Sequence, residues 1–191
     1  MLNQGIKVSN IFLSSDMHFH HKNILTFKKA DGSPLRVFED VTHMNEYIVM
    51  QHNRVVGPKD KWYCLGDVTM ARNEIGLEIL GRMNGEKILI KGNHDLAPAL
   101  QYLKYFKDIR ASHQLDGMML THIPIHTESL SRWKVNIHGH LHVNKVMKSF
   151  GTHIDNRYYN VSMECLDDYT PISLEDLKKN VKSILESPAK S

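Results

Sequence analysis

Aspartate, histidine and asparagine recur at five points of this 191-residue chain, each directly after a short apolar run: Asp16-Met17-His18, Gly66-Asp67, Gly92-Asn93-His94-Asp95, His122, and Gly139-His140-Leu141-His142. Imidazole, carboxylate and amide oxygen make a mixed nitrogen and oxygen donor set. Such a set suits divalent Mn, Fe, Zn, Ni or Co and does not suit a soft thiolate site. One carboxylate in it can bridge two ions. On extended chain, residues i and i+2 point the same way, which gives Asp16 with His18, and His140 with His142, a shared direction. Gly66, Gly92 and Gly139 let the backbone turn sharply beside such ions.

These groups span more than 120 residues of chain, so only a fold whose strand ends open onto one crevice can gather them. A layered α/β sheet has that property at the carboxyl ends of its strands. The chain reads accordingly, with short apolar runs alternating with amphipathic segments. Strands are expected at 10–14, 62–65, 86–90, 109–115, 118–121, 134–138 and 158–161. Asp116-Gly117 is a two-residue hairpin signal, which pairs its flanking strands antiparallel. A helix is predicted over 41–55 with Asp40 as N-cap and Val41, Met44, Ile48 and Val55 on one face. A second runs from about Asn73 to Met83 and stops at Asn84-Gly85. In a third, Ser173-Leu174-Glu175-Asp176 is a capping box with Asp at its third position, ahead of a buried stripe of Leu174, Leu177, Val181, Ile184 and Leu185. Residues 28–38, with Asp31-Gly32-Ser33-Pro34, are expected to form a long loop, and 187–191 to fray.

Composition narrows the classes. At 41% hydrophobic and 24% charged the chain is an ordinary globular sequence, expected to form one domain over 1–191. That size buries roughly 70% of the unfolded surface, so a metal here serves chemistry rather than holding the core together. The net charge of +3 is far from the dense basic stripe of a protein held on nucleic acid by electrostatics alone. No run approaches the length of a membrane span, and the brief Ile11-Phe12-Leu13 core is too short for an export signal. Cys64 and Cys165 lie far apart and suggest neither a disulfide framework nor a thiolate cage. A cytoplasmic protein with no obligate protein partner is expected.

The five elements, in order, match the pattern DxH, GD, GNH[DE], H and GHxH, and the chain resembles the calcineurin-like metallophosphoesterase superfamily. Ser15-Asp16-Met17-His18-Phe19, Lys22-Asn23-Ile24, Met44-Asn45, Lys87-Ile88-Leu89-Ile90-Lys91-Gly92-Asn93-His94-Asp95 and Pro171-Ile172-Ser173-Leu174-Glu175 resemble more narrowly its small single-domain members of phages and bacteria. The resemblance covers nearly the whole chain. It implies a two-sheet β-sandwich flanked by α-helices. It implies two divalent ions, Mn first, with Fe, Zn, Ni or Co as alternatives. Asp16, His18, Asp67 and His142 would hold one ion, and Asp67, Asn93, His122 and His140 the other. By the same resemblance, His94 contacts the phosphate and protonates the leaving group, with Asp95 orienting it. The implied reaction is in-line attack by a metal-activated hydroxide on a phosphodiester or phosphomonoester, of nucleotide type or in a short nucleic acid, without a covalent protein intermediate.

Some residues depart from that pattern or lie outside it. His20 stands where the small members carry Gly, and Ser162-Met163-Glu164 where they carry Gly-x-Asp; both add bulk near the expected mouth. His20 and His21 are candidates for substrate contact or for a solvated loop pair. Arg36 is a phosphate-binding candidate from the long loop. Trp133 is either a substrate wall or core. His138 is read as packed and hydrogen-bonded, and the ten methionines as core filling. Gly66-Asp67 continuing as Val68-Thr69-Met70-Ala71, together with GNHD, disfavours the protein phosphatase and dinucleoside tetraphosphatase branches. Two alternatives stay open: a non-catalytic scaffold of the same fold, and a nuclease directed at nucleic acid.

Overall fold

The apolar runs become strands in the computed structural model, which describes residues 9–71, 74–148, 151 and 153–186. Four of them, β1 (Ile11–Ser14), β2 (Lys61–Cys64), β3 (Glu86–Ile90) and β4 (Asp108–Arg110), lie parallel in one sheet. β5 (His113–Leu115) and β6 (Met118–Leu120) form an antiparallel hairpin, to which β7 (Val135–His138) and β8 (Tyr158–Asn160) add in parallel. β9 (Ile172–Ser173) closes the first sheet antiparallel to β1. The fold is therefore α/β with two mixed sheets, ordered β4-β3-β2-β1-β9 and β5-β6-β7-β8.

Parallel strands covered on both faces lose the alternation of a half-exposed strand. Trp62-Tyr63-Cys64 and Ile88-Leu89-Ile90 are accordingly buried in succession. One cluster of buried apolar side chains draws on both sheets, with Leu13, Leu65 and Leu89 from the first and Leu120, Ile137 and Val161 from the second. The sheets are also stitched through backbone where β1 and β8 end. Ser15 N–H donates to Val161 O at 2.9 Å and Met163 N–H to Ser15 O at 3.0 Å.

The expected strand at 109–115 is corrected: it is two strands in different sheets. Arg110 ends β4 against Ile90, whereas His113 opens β5 against Leu120. Apolar pattern cannot reveal a change of ladder partner. Arg110 Nη1 lies 2.6 Å from His113 Nδ1, and His113 stacks on Tyr63 at 5.2 Å, so the crossing itself is held. The Asp116-Gly117 turn is as expected, with φ of 50° and 78°, the double left-handed conformation of a type I′ hairpin.

Helix α1 (Val41–Val55) starts as expected, Asp40 Oδ1 accepting from His43 N–H at 2.7 Å, a cap worth about 1 kcal/mol. The second expected helix is a 3-10 helix, Glu74–Arg82. Gly76 and Gly81 lower α propensity, and a Cβ on Gly76 would fall 1.9 Å from that of Ala71. Its expected start, Asn73, lies outside the described residues. Helix α2 (Ala99–Tyr102) is a single turn. Helix α3 (Leu174–Glu186) is capped by Ser173 Oγ, which accepts from Asp176 N–H at 3.0 Å. Leu177 and Val181 are buried, but Ile184 and Leu185 are more than a third exposed, so the apolar stripe outruns its cover. The segment 187–191, expected to fray, lies outside the described residues. Among the described residues no helix is long and apolar enough to cross a membrane, and both cysteines are free thiols.

Helix α1 also sets an acid limit on stability. His52 is buried edge-on against Trp62 at 4.6 Å, with Nε2 donating to Asn84 O at 3.0 Å. Burial pushes its pKa down to about 4. Between that value and the unfolded value near 6.5 the unfolded chain binds the extra proton, so the stabilisation is complete above about pH 6.5 and lost as pH falls toward 4. The loss is on the order of 3 kcal/mol, and buried His138, also held near 4, adds a similar slope. Urea midpoints measured in chelator should therefore fall steeply from pH 7 to 4.5, and His52→Asn should remove about half of that fall. An unchanged slope would put the acid sensitivity elsewhere.

Candidate metal centre

The loops leaving β1, β2, β3, β6 and β7 at their carboxyl ends meet in one place. The first two are laced by backbone: Asp16 N–H donates to Gly66 O and His18 N–H to Asp67 O, each at 3.0 Å. His140 N–H reaches across to Asp16 Oδ2 at 2.9 Å, and Gly139 N–H to His122 O at 3.0 Å. Such close approach demands glycine. A Cβ on Gly139 would lie 2.0 Å from Ser15 Oγ and 2.3 Å from Asp16 Oδ2, and one on Gly92 2.3 Å from Asp67 Oδ1.

Asp16, His18, Asp67, His140 and His142 all adopt left-handed backbone, with φ of 61°, 50°, 52°, 67° and 49°. Asp and His tolerate that region better than most residues, yet each such position costs of order 1–3 kcal/mol. Five strained residues at one place mark a site whose geometry the surrounding fold enforces.

The side chains form two triads. Ligand atoms of Asp16, His18 and His142 lie within 4.8 Å of one another, as do those of Asp67, His122 and His140. Asp67 joins the triads, its Oδ2 lying 3.7 Å from His18 Nε2 and 3.3 Å from His122 Nε2. Asn93 enters the second triad, Oδ1 at 2.9 Å from His122 Nε2. The structure thus gathers all seven residues that the resemblance implies as ligands.

The hydrogen bonds test whether a cation fits. His122 Nδ1–H donates to Leu65 O at 2.7 Å, so in the neutral ring Nε2 carries a lone pair facing the oxygens of Asp67 and Asn93. Three acceptors converge with no proton between them. Asp16 Oδ2 is satisfied by Ser162 Oγ–H at 3.0 Å and by His140 N–H, while buried Oδ1 has no partner. Both ring nitrogens of buried His18 are likewise without one. Unpaired buried polar atoms are rare in folded proteins, and a divalent cation would satisfy Asp16 Oδ1 and one of the two His18 nitrogens. The donor set fits two such ions.

Without an ion, the carboxylates draw positive charge onto the imidazoles instead. Burial would raise the Asp16 carboxyl, but the neighbouring imidazoles of His18, His122 and His142 hold it well below the usual carboxylate range. Burial would lower His122, but Asp67 and Asp16 raise it above the ordinary imidazole value. His142 is also raised, burial being outweighed by Glu164.

Around the centre the expected residues divide. His94 is exposed, its ring 5.6 Å from that of His18 and its backbone N–H donating to Asp67 Oδ1 at 2.8 Å. His21 approaches His18 from another side at 5.5 Å, with Nδ1 buried and unpaired. Burial and then the surrounding cations, His18 foremost, push its pKa down to about 4. His20 turns away, with Nδ1 3.2 Å from Asn45 Nδ2 of α1. His138 is packed as expected, Nδ1 2.8 Å from Gly139 O.

Three positions are corrected. Asp95 does not orient His94; its buried carboxylate accepts from the backbone N–H of Gly92 (2.7 Å), Val68 (2.9 Å) and Asp67 (3.0 Å), locking the β2 and β3 loops together. Arg36 is 1% exposed and lies beneath the centre, not at its mouth. Trp133 precedes β7 at the end opposite the ligands, beside the hairpin turn, with Nε1 donating to Gln114 Oε1 at 3.3 Å. The sequence reading did not assign two residues that follow β8. Ser162 holds Asp16 Oδ2, and Glu164, read as bulk near the mouth, is buried with Oε1 3.1 Å from His142 Nδ1. The available signal was that Ser162-Met163-Glu164 follows a strand, as every ligand motif does.

Fold and site together define an α/β protein with paired Asp/His clusters at the junction of two mixed sheets. The chain belongs to the family of the uncharacterized protein MJ1445 of Methanocaldococcus jannaschii, to which it is 32% identical over 181 residues, covering 93% of this chain and 94% of that protein. A solved relative in structure is the protein of unknown function AQ665 from Aquifex aeolicus. It is 27% identical, with a TM-score of 0.64 over 91% of this chain and the whole of that one. No family model matches the chain.

Proposed function

We propose that this protein is a metal-dependent hydrolase of phosphate esters, a small calcineurin-like metallophosphoesterase with the helix-flanked two-sheet sandwich of that superfamily. The observation that carries the reading is the pair of lone-pair-lined triads sharing Asp67 beside an exposed histidine that belongs to neither. Asp16, His18, Asp67 and His142 would hold one divalent ion and Asp67, Asn93, His122 and His140 the other, Mn being the first candidate. Two such ions supply Lewis-acid polarisation of a phosphoryl group and lower the pKa of water.

The protein's own groups do the rest. Asp67 Oδ1 accepts from His94 N–H and so anchors the backbone that presents the His94 ring at the opening. From there the imidazole can hydrogen-bond a phosphoryl oxygen and deliver a proton to the departing one. Asp95 ties the His94 loop to the Asp67 loop, which keeps the acid and the ligands in one frame. A scaffold that had given up catalysis would have no need to keep the full ligand set together with an exposed His94.

The test is hydrolysis of bis(p-nitrophenyl) phosphate and p-nitrophenyl phosphate with Mn²⁺, Ni²⁺, Zn²⁺, Mg²⁺ or chelator. Turnover should need added metal, vanish in chelator and return on reconstitution, and the ratio of the two rates ranks diester against monoester. A protein that binds two ions yet cleaves neither ester with any metal would favour the scaffold.

A further inference from the structure

We propose that Arg36 and Glu164 are a positioning pair dedicated to the first triad, Asp16, His18 and His142, so that this half of the centre can be weakened without the other. The inference rests on the binuclear reading above and concerns how the two ion sites differ.

Arg36 comes from the polar loop at 28–38, yet its guanidinium is buried, and apart from a 3.5 Å contact of Nη1 with Met44 Sδ its hydrogen bonds are directed at this triad's surroundings. Nη2 donates to Asp16 O at 2.5 Å, Nη1 to Met17 O at 2.8 Å and Nε to Glu164 Oε1 at 2.7 Å. Glu164 Oε1 in turn faces His142 Nδ1 at 3.1 Å. One cation thus grips the backbone that carries Asp16 and His18 and, through one carboxylate, the ring of His142. A second grip fixes His142 from behind, Asn160 Nδ2 donating to its carbonyl at 2.7 Å.

The Glu164 contact does chemical as well as mechanical work. A carboxylate on Nδ1 fixes the tautomer with the lone pair on Nε2 and makes that nitrogen a stronger donor to a cation. Glu164 Oε2 is buried and unpaired, so the carboxylate's charge is directed at Arg36 and His142 rather than shared with solvent. The second triad is braced mainly by other means, Leu65 O on His122 and Asp95 on the backbone N–H of Asp67, and meets the first at His140 N–H on Asp16 Oδ2. The pair therefore acts on one ion site and leaves the supports of the other in place.

Equilibrium dialysis and electron paramagnetic resonance with Mn²⁺ test this without an activity assay. In Glu164→Gln, one Mn²⁺ should bind about 10–100-fold more weakly, the range seen when such supporting carboxylates are removed, while the other keeps its affinity. At intermediate Mn²⁺ the exchange-coupled spectrum of a pair should give way to that of an isolated ion. Because Glu164→Gln strands Arg36 as a buried charge, the double variant Arg36→Met/Glu164→Gln is measured beside it. Equal weakening of both sites in a folded variant, or no weakening of either, would overturn the inference while the binuclear reading stood. Wild-type protein that takes up no Mn²⁺ would overturn the binuclear reading and this inference with it.

Discussion

Asp67→Asn should yield a folded protein that retains neither ion through dialysis and hydrolyses a chromogenic diester at least about 10³-fold more slowly. The reason is position. Asp67 Oδ2 is 3.7 Å from His18 Nε2 and 3.3 Å from His122 Nε2, so one substitution withdraws a negative charge from both triads at once. Asparagine keeps the shape and still accepts from His94 N–H through Oδ1, which isolates the charge from the packing. Lewis-acid stabilisation of a phosphoryl transition state is worth several kcal/mol, and each 1.4 kcal/mol is a factor of ten, which sets the expected scale. Metal analysis of the dialysed variant checks the first half and initial rates the second. Loss of a single ion would assign Asp67 to one site only.

His94→Ala should behave differently, losing about 10²–10⁴-fold in kcat with its metal content intact. The His94 ring stands outside both triads, and only its backbone touches Asp67. If the ring protonates the departing oxygen, the loss depends on what departs. A nitrophenolate leaves without a proton, so nitrophenyl esters should suffer far less than an alkyl ester cleaved by the same variant. A loss independent of the leaving group would confine His94 to holding the phosphate, and loss of metal would make it a ligand.

The ligand motifs were legible because their information is local: each is a few residues long and follows an apolar run, and strand ends of one α/β layer necessarily converge. The Asp116-Gly117 hairpin and the Asp40 cap were legible for the same reason, since φ preference and capping chemistry act within a few residues. The break at Ala111-Ser112 was not, because it is a change of sheet and both halves keep a strand-like composition. β9 was not, because two residues on an edge carry no period. Arg36 shows the limit most plainly. A cation two residues after the turn Asp31-Gly32-Ser33-Pro34 reads as surface, and its burial depends on Glu164, a partner 128 residues further along the chain. Asp95 was misread for a related reason: adjacency to His94 in sequence suggested a contact, whereas the backbone turns the carboxylate back toward the β2 loop.

Each triad takes its ligands from both sheets. Asp16 and His18 follow β1 and Asp67 follows β2, whereas His122 follows β6 and His140 and His142 follow β7. A ribosome releasing about 5–20 residues per second needs on the order of ten seconds to pass from the first ligand to the last. Throughout that interval the nascent chain displays only part of each triad. On the binuclear reading, metal uptake would follow the docking of the two sheets, so a bound ion would mark a chain whose sheets have met.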